Sequence, residues 1–328
     1  MINSTTEIKP LFIFSMPRSG STLLQRLLAS HENISTAVEP WILLPYLYTL
    51  REKGIYSEYG HFLLAKAVDN FCHQLPNGQD DYLAEMRTFI LRLYSKAANK
   101  ESKYFLDKTP RYYLIAEDIF RLFPEGKFIF LWRNPLAIVA SILETWEQGK
   151  WKLYRHKIDI FDGLVNLVNA YEKYGTQAYS LQYEALVSNP IAELQQLFAY
   201  LELPFDPVSN TQPIELENQL LGDPTGVKQY KSISKEPISE WKLTIANSMR
   251  KNWCRQYLHW IGKERLAVMG YSLDEIFTEL ATIPFNCHLI LEDLLLIPYG
   301  ALYCTVEPTL IKHKIQILPN FKKLHTHK

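Results

Sequence analysis

The sequence predicts an α/β fold with a doubly wound parallel sheet flanked by helices. Short apolar runs alternate along the chain with segments whose apolar residues recur at helical spacing. Charged residues follow these runs directly: Arg18, Glu39, Lys108 and Arg133 each come just after one. Ligands bind such sheets beyond the carboxyl ends of the strands, so we expect these four side chains to converge there.

Five short runs have the length and apolar character of buried parallel strands, and most of them stop at proline or at a turn. The predicted strands are residues 11–15, 34–40, 103–110, 126–135 and 178–186.

The segments between the strands carry apolar residues three and four positions apart, as in Leu23, Leu24, Leu27 and Leu28. Pro135 suits the first turn of the helix that it opens. The predicted helices are residues 21–30, 45–51, 82–98, 113–123, 135–143, 161–174, 191–201 and 244–266.

The pattern loosens after Pro204. Residues 203–237 are rich in Pro, Gly, Asn and Lys and predict a long loop that becomes ordered on binding. We expect a single domain over residues 9–270 and a helical and loop C-terminal extension, residues 271–328, that packs on or beside it.

Composition limits the classes of function. The chain has 328 residues, with 35 Lys+Arg and 35 Asp+Glu, so its formal net charge is zero and broad nucleic-acid binding is not expected. The N-terminus lacks the apolar core of a signal peptide, and no stretch approaches the roughly 20 apolar residues that span a bilayer. The four cysteines form no CxxC pair, which favours a reducing compartment, and we expect a cytoplasmic protein.

A first anion loop, residues 17–22, joins the first strand to a helix. Helix N-termini present unpaired N–H groups, and Gly20 allows close approach of the backbone. Ser19, Ser21 and Thr22 add hydroxyl donors, and Arg18 adds a planar charged fork, so the set suits a phosphate. The alternative is an ordinary strand–helix turn with Ser21 as N-cap.

A second anion loop, residues 133–135, repeats this arrangement after the fourth strand. Ser141 lies two turns into the following helix, too deep to cap it, but its hydroxyl can bond a group that Arg133 also reaches. The alternative is a surface Arg–carboxylate pair beside a neutral helical serine.

A nucleotide kinase is another interpretation of a loop of this type. The triphosphate P-loop reads GxxxxGK[ST], and the first anion loop lacks both its first glycine and its lysine. Asp107 has the position of a Mg²⁺-binding aspartate at a strand end, although Lys108 follows it directly.

The two loops together resemble the P-loop-like sulfotransferase family that uses 3′-phosphoadenosine-5′-phosphosulfate (PAPS). PRSGSTLL resembles that family's 5′-phosphosulfate loop, RNPLAIVAS resembles its 3′-phosphate motif, and LDKTP fits the strand between them. The resemblance covers residues 11–141 well and residues 181–190 moderately. It implies that residues 9–270 form a PAPS-binding sulfotransferase domain.

The resemblance also implies site residues, the product 3′,5′-adenosine bisphosphate and no metal. It implies that the 5′-phosphosulfate is held by Arg18, Ser19, Gly20, Ser21 and Thr22, and the 3′-phosphate by Arg133 and Ser141. Tyr183 occupies the position of a ring near the adenine. Among Lys228, Lys231 and Lys235 in the long loop, Lys235 is favoured as a cofactor contact.

The resemblance implies Glu39, Lys108 and Arg18 as catalytic residues. The cytosolic branch of the family uses a histidine in a KTH-like motif, but this chain has Pro110 there. The tyrosylprotein and carbohydrate-type branch, which the chain resembles more, uses a glutamate at the position of Glu39. Lys108 would then stabilise the bridging oxygen. The alternatives are a plain strand-end ion pair for Glu39 and Lys108, and His31 as the base.

The expected reaction is in-line sulfuryl transfer to a hydroxyl or amine of a small molecule, sugar or peptide. The segment TWEQGKWKLYRH contains aromatic and histidine side chains that either line an acceptor pocket or belong to the core: Trp146, Trp151, Tyr154 and His156. A kinase and a non-catalytic nucleotide-binding module remain as alternatives.

Overall fold

The sheet lies at the centre of the protein. The computed structural model describes residues 8–99, 101–216, 233–234 and 238–306. Within them, five strands pair in parallel in the order β2-β3-β1-β4-β5, which confirms the predicted fold class. The strands are β1 Lys9–Ser15, β2 Ile34–Val38, β3 Tyr104–Lys108, β4 Lys127–Trp132 and β5 Ala178–Gln182.

Helices cover both faces of the sheet and continue beyond its last strand. The α-helices are α1 Ser21–Leu28, α2 Leu43–Tyr48, α3 His61–Cys72, α4 Gln79–Ala97, α5 Ala116–Leu122, α6 Pro135–Glu147, α7 Leu164–Tyr174, α8 Tyr183–Ser188, α9 Pro190–Tyr200, α10 Trp241–Thr244, α11 Ser248–Val268, α12 Leu273–Thr282 and α13 Ile290–Val306. A 3₁₀-helix, Pro110–Leu114, precedes α5, and a π-helical turn, Ile158–Gly163, precedes α7. Within the described residues, no helix is both long and apolar enough to cross a membrane.

Strand β1 shows why the sheet is buried on both sides. Successive side chains of a strand point to opposite faces. Phe12 and Phe14 therefore join the larger hydrophobic cluster, while Leu11 and Ile13 join the smaller one, which contains Leu24 from α1. The sheet is therefore buried on both faces, as is typical of a parallel sheet covered by helices.

Several element boundaries differ from the sequence-based expectation, as two examples show. Strand β5 ends at Gln182 instead of extending to residue 186, because Tyr183 already begins α8. The helix expected over residues 113–123 is divided, since the backbone at Ile115 (φ −131°, ψ 19°) is not helical. Helix α3 was not predicted; its exposed Phe62 and Leu63 obscure the apolar stripe of an amphipathic helix.

The described part of the C-terminal segment packs on the rest of the protein. Ile276 and Leu280 of α12 are buried in the larger hydrophobic cluster. In α13, Asp293 is fully buried and accepts a hydrogen bond from Arg250 Nε at 2.6 Å. The boundary between residues 270 and 271 stays a prediction.

Candidate active site

Hydrogen bonds join the carboxyl ends of four neighbouring strands. The register aligns Val38 with Lys108, so Glu39 follows β2 beside the end of β3. Lys108 Nζ lies 2.8 Å from Glu39 Oε1 and 3.4 Å from Thr22 Oγ1. The structure therefore brings together the ends of β2 and β3 and the start of α1, as the topology predicts.

The first anion loop has an unusual backbone. Gly20 is the N-cap of α1 with φ 88° and ψ 14°, and Ser21 is the first helical residue, so the alternative with Ser21 as N-cap is wrong. A Cβ atom on Gly20 would lie 2.4 Å from the Tyr183 ring. Arg18 also has a positive φ, 65°. The loop thus requires glycine at position 20 both for its conformation and for close packing on Tyr183.

The donors of the first anion loop fit an oxyanion. Ser19 Oγ is buried and has no hydrogen-bond partner among the described residues. It lies beside the N-terminus of α1, where backbone N–H groups lack intrahelical partners. A buried hydroxyl without a partner costs stability unless a ligand or water satisfies it, so Ser19 is suited to donate to a bound group.

The second anion loop is fixed by its own side chains and by the first loop. Asn134 is the N-cap of α6 and accepts a hydrogen bond from Leu136 N at 2.9 Å. Arg133 is buried, so its guanidinium does not lie on the surface. Its Nη1 donates to the carbonyl oxygen of Arg18 at 2.7 Å, and its guanidinium lies 4.5 Å from the centre of the Tyr183 ring.

Ser141 joins the two loops. Its Oγ accepts a hydrogen bond from Arg18 Nε at 3.1 Å. Together with the bond from Arg133 to the Arg18 carbonyl, this contact brings the cations of both loops into one site. The expected placement of these cations at one edge of the sheet is confirmed, whereas the ligand roles of Arg18, Arg133 and Ser141 stay predictions.

Glu39 and Lys108 form an ion pair with little access to water. Their side chains are 9% and 2% exposed. Glu39 has a positive φ of 39°, and its Oε2 accepts a hydrogen bond from Trp41 Nε1 at 3.4 Å. The ion-pair alternative thus describes the geometry, and it is compatible with catalysis because a carboxylate beside an ammonium group can still accept a proton. The assignment of Glu39 as the base stays a prediction.

The position of Glu39 is set by buried contacts between α1 and β2. Gln25 Nε2 donates to Thr36 Oγ1 at 2.8 Å and to the Ala37 carbonyl at 3.0 Å. Beyond Glu39, the backbone N–H of Trp41 donates to Thr109 Oγ1 at 3.2 Å. These contacts hold both sides of the segment that carries Glu39.

Asp107 does not have the environment of a Mg²⁺ ligand. It is fully buried and accepts hydrogen bonds from Tyr94 at 2.6 Å, Tyr112 at 2.9 Å and Thr109 at 3.1 Å. Burial raises the pKa of Asp107 to about 6, although these donors oppose the shift. Its carboxylate is occupied by structural hydrogen bonds below the site. Among the described residues, no group of three or more His, Cys, Asp or Glu side chains is arranged to hold a metal.

His31 has a structural environment. It is buried, its ring packs 5.3 Å from that of Phe198, and its Nδ1 accepts a hydrogen bond from Asn33 N at 3.1 Å. Burial lowers the pKa of His31 below its usual value. The residue lies at the far end of α1 from the first anion loop, which does not favour it as the base.

The aromatic segment after α6 divides between core and site. Trp151 is buried and packs edge-on against Trp253, and Tyr154 packs against Tyr303. Trp146 is 39% exposed, stacks on His156 and has its ring centre 6.0 Å from the Arg18 guanidinium. Of these four residues, Trp146 is the one with a contact to Arg18, so a role in lining an acceptor pocket stays a prediction for it.

Several residues of the site were not expected from the sequence. Trp41 and Gln25 contact Glu39 and its strand, and Glu184 Oε1 accepts a hydrogen bond from Asn134 N at 3.0 Å. Glu184 follows Tyr183 directly, so its proximity to the second loop could have been inferred. Lys228, Lys231 and the favoured Lys235 lie outside the described residues.

Two known proteins are similar to most of this chain. The nodulation protein NoeE of Sinorhizobium fredii is 29% identical over 302 residues, covering 81% of this chain and 68% of that protein. Protein-tyrosine sulfotransferase 2 of Gallus gallus is 23% identical over 252 residues, covering 72% of this chain and 63% of that protein. The chain thus spans about two thirds of the length of these relatives.

Among solved structures, the sulfotransferase domain from the curacin biosynthetic pathway has a similar fold. Its TM-score is 0.50 at 23% identity, covering 76% of this chain and 97% of that one. The family model described as "Sulfotransferase family" matches residues 10–207, which contain both anion loops, Glu39 and Lys108. The chain belongs to the sulfotransferase family.

Proposed function

We propose that this protein transfers a sulfuryl group from PAPS to a hydroxyl or amine of an acceptor, without a metal ion. The observation that carries the proposal is the cross-linked pair of anion loops beside the buried Glu39–Lys108 ion pair. One loop alone would suit any phosphate. Two cationic loops in one site suit a ligand with phosphate groups at both ends of a nucleoside.

The donor set supports PAPS as the ligand. When bound, PAPS would supply an activated sulfuryl group, whose bond to the phosphate oxygen breaks as the acceptor attacks in line. Ser19, Gly20 and the N-terminus of α1 would hold the phosphosulfate end, with Arg18 beside them. Arg133 and Ser141 would hold the 3′-phosphate, and Tyr183, packed against both loops, would lie near the adenine.

Glu39, Lys108 and Arg18 would perform the chemistry. Glu39 would take the proton from the acceptor as its oxygen becomes a nucleophile. Lys108, which lies within reach of both Glu39 and Thr22, would stabilise the negative charge that develops on the leaving oxygen. Arg18 would add a second fixed cation there, so the reaction needs no Mg²⁺.

The proposed acceptor is a small molecule, sugar or peptide with a free hydroxyl. One relative is named as acting on protein tyrosine, which supports hydroxyl transfer as a chemistry of this family. The exposed ring of Trp146 would contact the acceptor near Arg18. We also propose a cytoplasmic location, because all four cysteines are free thiols, with Cys72 and Cys254 buried.

Thermal unfolding with 3′,5′-adenosine bisphosphate, compared with ATP–Mg²⁺, tests the donor site. A ligand at about 100 times its Kd stabilises by roughly 2.7 kcal/mol, so we expect a clear rise in Tm for the bisphosphate alone. Sulfuryl transfer from PAPS to a panel of hydroxyl acceptors should then persist in excess EDTA.

Three outcomes contradict the proposal in different ways. Stabilisation by ATP–Mg²⁺ with Mg²⁺-dependent turnover would establish a kinase. Tight bisphosphate binding without transfer to any acceptor would favour a non-catalytic module. Reversible loss of transfer in EDTA would contradict the metal-free mechanism.

A further inference from the structure

The carboxylate of Glu184 contacts the second anion loop and accepts two hydrogen bonds. Glu184 Oε1 accepts from the backbone N–H of Asn134 at 3.0 Å, one residue after Arg133. Glu184 Oε2 accepts from the hydroxyl of Tyr271 at 2.6 Å. Asn134 lies in the β4–α6 loop, Glu184 in α8 and Tyr271 in the segment between α11 and α12. The three residues therefore form a chain of hydrogen bonds that connects segments far apart in sequence.

Tyr271 is rigidly placed at the end of α11. Gly270 has φ 83°, its N–H donates to the Ala267 carbonyl at 3.0 Å, and the N–H of Tyr271 donates to the Leu266 carbonyl at 2.8 Å. These two bonds form a Schellman motif, which fixes the direction in which the chain leaves the helix. The hydroxyl of Tyr271 therefore reaches Glu184 from a defined backbone.

The same segment docks on the end of β5. The Gly270 carbonyl accepts a hydrogen bond from Gln182 Nε2 at 2.7 Å, and a Cβ atom on Gly270 would lie 2.8 Å from that nitrogen. Glycine thus allows the chain to approach the strand that leads into Tyr183 and Glu184.

Tyr271 remains a hydrogen-bond donor at any physiological pH. Burial, together with the nearby Glu184 carboxylate, raises its pKa well above the usual 10.0, while Arg133 opposes the shift. The neutral hydroxyl can only donate to Glu184, which accepts at both oxygens. These two hydrogen bonds fix the orientation of the Glu184 carboxylate, and the carboxylate in turn fixes the position of the Asn134 N–H.

We infer that Tyr271 is a positioning residue for the 3′-phosphate site, acting through Glu184 on the loop that carries Arg133; the inference rests on the proposed function. Tyr271 lies beyond residues 10–207, the part that matches the family model. The C-terminal part of the chain thereby contributes to cofactor recognition without touching the cofactor.

The test measures Kd by calorimetry for 3′,5′-adenosine bisphosphate and for adenosine 5′-monophosphate, using the full chain and its Tyr271→Phe variant. We expect about a tenfold weaker Kd for the bisphosphate, the scale of one hydrogen bond to a charged group, and less than a twofold change for the monophosphate. Tyr257→Phe is the matched control, because that buried hydroxyl donates at 2.7 Å to the Ile160 carbonyl, away from the loop.

A double variant separates positioning from general stability. If Tyr271 acts through Glu184, then Tyr271→Phe should weaken bisphosphate binding little further in a Glu184→Gln background. Any of four results would overturn the inference. In Tyr271→Phe these are an equal loss of affinity for both nucleotides, a loss of affinity no larger than in Tyr257→Phe, or no loss of affinity at all. In the double variant, the contradicting result is a loss of affinity equal to the product of the two single losses. If the unmodified protein does not prefer the bisphosphate over the monophosphate, then the proposed function itself fails, before any variant is considered.

Discussion

The two anion loops both present a cation at the end of a strand, but their conformations are stabilised differently. The first is built from contiguous residues, with left-handed backbone at Arg18 and Gly20 and a buried serine hydroxyl without a partner among the described residues. The second has a regular helix start capped by Asn134, and it is held by Glu184 and Tyr271 from distant parts of the chain. Both loops are contacted by distant parts of the chain, but only the first has a left-handed backbone, whereas the second begins a regular capped helix.

This structural difference corresponds to the different roles of the two loops in the proposed reaction. The first loop lies beside the Glu39–Lys108 pair, where the sulfuryl group would move, and left-handed non-glycine residues often mark such sites. The second loop would only hold a phosphate that does not react. We therefore expect changes near the first loop to affect rate or stability, and changes in the second to affect affinity for one phosphate.

The largest expected effect is on turnover in Glu39→Gln. The swap preserves size but removes the proton acceptor, so kcat should fall by about 100-fold or more while bisphosphate Kd stays the same. Steady-state transfer on a working acceptor, beside a binding curve for the same preparation, measures both. Glu117→Gln is the control, since that glutamate pairs with Lys173 on the surface.

Near-normal kcat in Glu39→Gln would exclude Glu39 as the base. A parallel loss of binding and turnover would instead show that the carboxylate positions Lys108 or the loop, and the proposed division between the two loops would fail.

In the second loop, Arg133→Ala should weaken binding selectively. A charge-assisted contact to a phosphate predicts about 10- to 100-fold weaker binding of 3′,5′-adenosine bisphosphate, with a much smaller change for the 5′-monophosphate. Because Arg133 also donates to the Arg18 carbonyl, Arg133→Lys is needed beside it, since it keeps the charge and changes the geometry. Equal loss of both nucleotides in both variants would indicate that Arg133 only shapes the first loop.

Gly20→Ala tests the local strain of the first loop. A side chain at φ 88° costs about 1–2 kcal/mol, and the new Cβ must also displace the Tyr183 ring, 2.4 Å away. We expect the free energy of unfolding to fall by about 2–3 kcal/mol in denaturant titrations. Gly60→Ala is the control for backbone alone, because Gly60 is also a helix N-cap with positive φ, and the nearest described atom to its Cβ would be Leu63 Cδ1 at 3.8 Å. Equal losses in the two variants would show that Tyr183 does not constrain the loop.

The sequence was most informative where a function depends on neighbours along the chain. The sheet, both loops and the placement of Glu39 and Lys108 follow from apolar runs and from the residue after each run. The fold class and the family are confirmed. Parallel pairing brings strand ends together by necessity, so the site's location needed no knowledge of side-chain packing.

The remote supports could not be predicted, because they depend on packing. Nothing in the sequence around Tyr271 distinguishes it from the other 19 of the chain's 20 tyrosines. The contact between Gly20 and Tyr183 joins residues 163 positions apart and depends on α8, where the pattern predicted a strand through residue 186. Asp107 satisfied a sequence pattern for metal binding, yet three hydroxyl donors turn it into a structural residue.

The smallest expected effect is the loss of nucleotide affinity in Ser141→Ala. This substitution tests the contact between the two loops most directly. Ser141 Oγ accepts from Arg18 Nε at 3.1 Å, and a serine hydroxyl that accepts a hydrogen bond also has a proton that it could donate to a ligand. Loss of one neutral donor predicts roughly three- to tenfold weaker bisphosphate binding, with less change for the 5′-monophosphate. Ser180→Ala is matched to it, because that hydroxyl also accepts one side-chain N–H at 3.1 Å, from Trp132. If both nucleotides weaken equally in Ser141→Ala but not in Ser180→Ala, then Ser141 serves mainly to orient Arg18, and the two loops act as one unit.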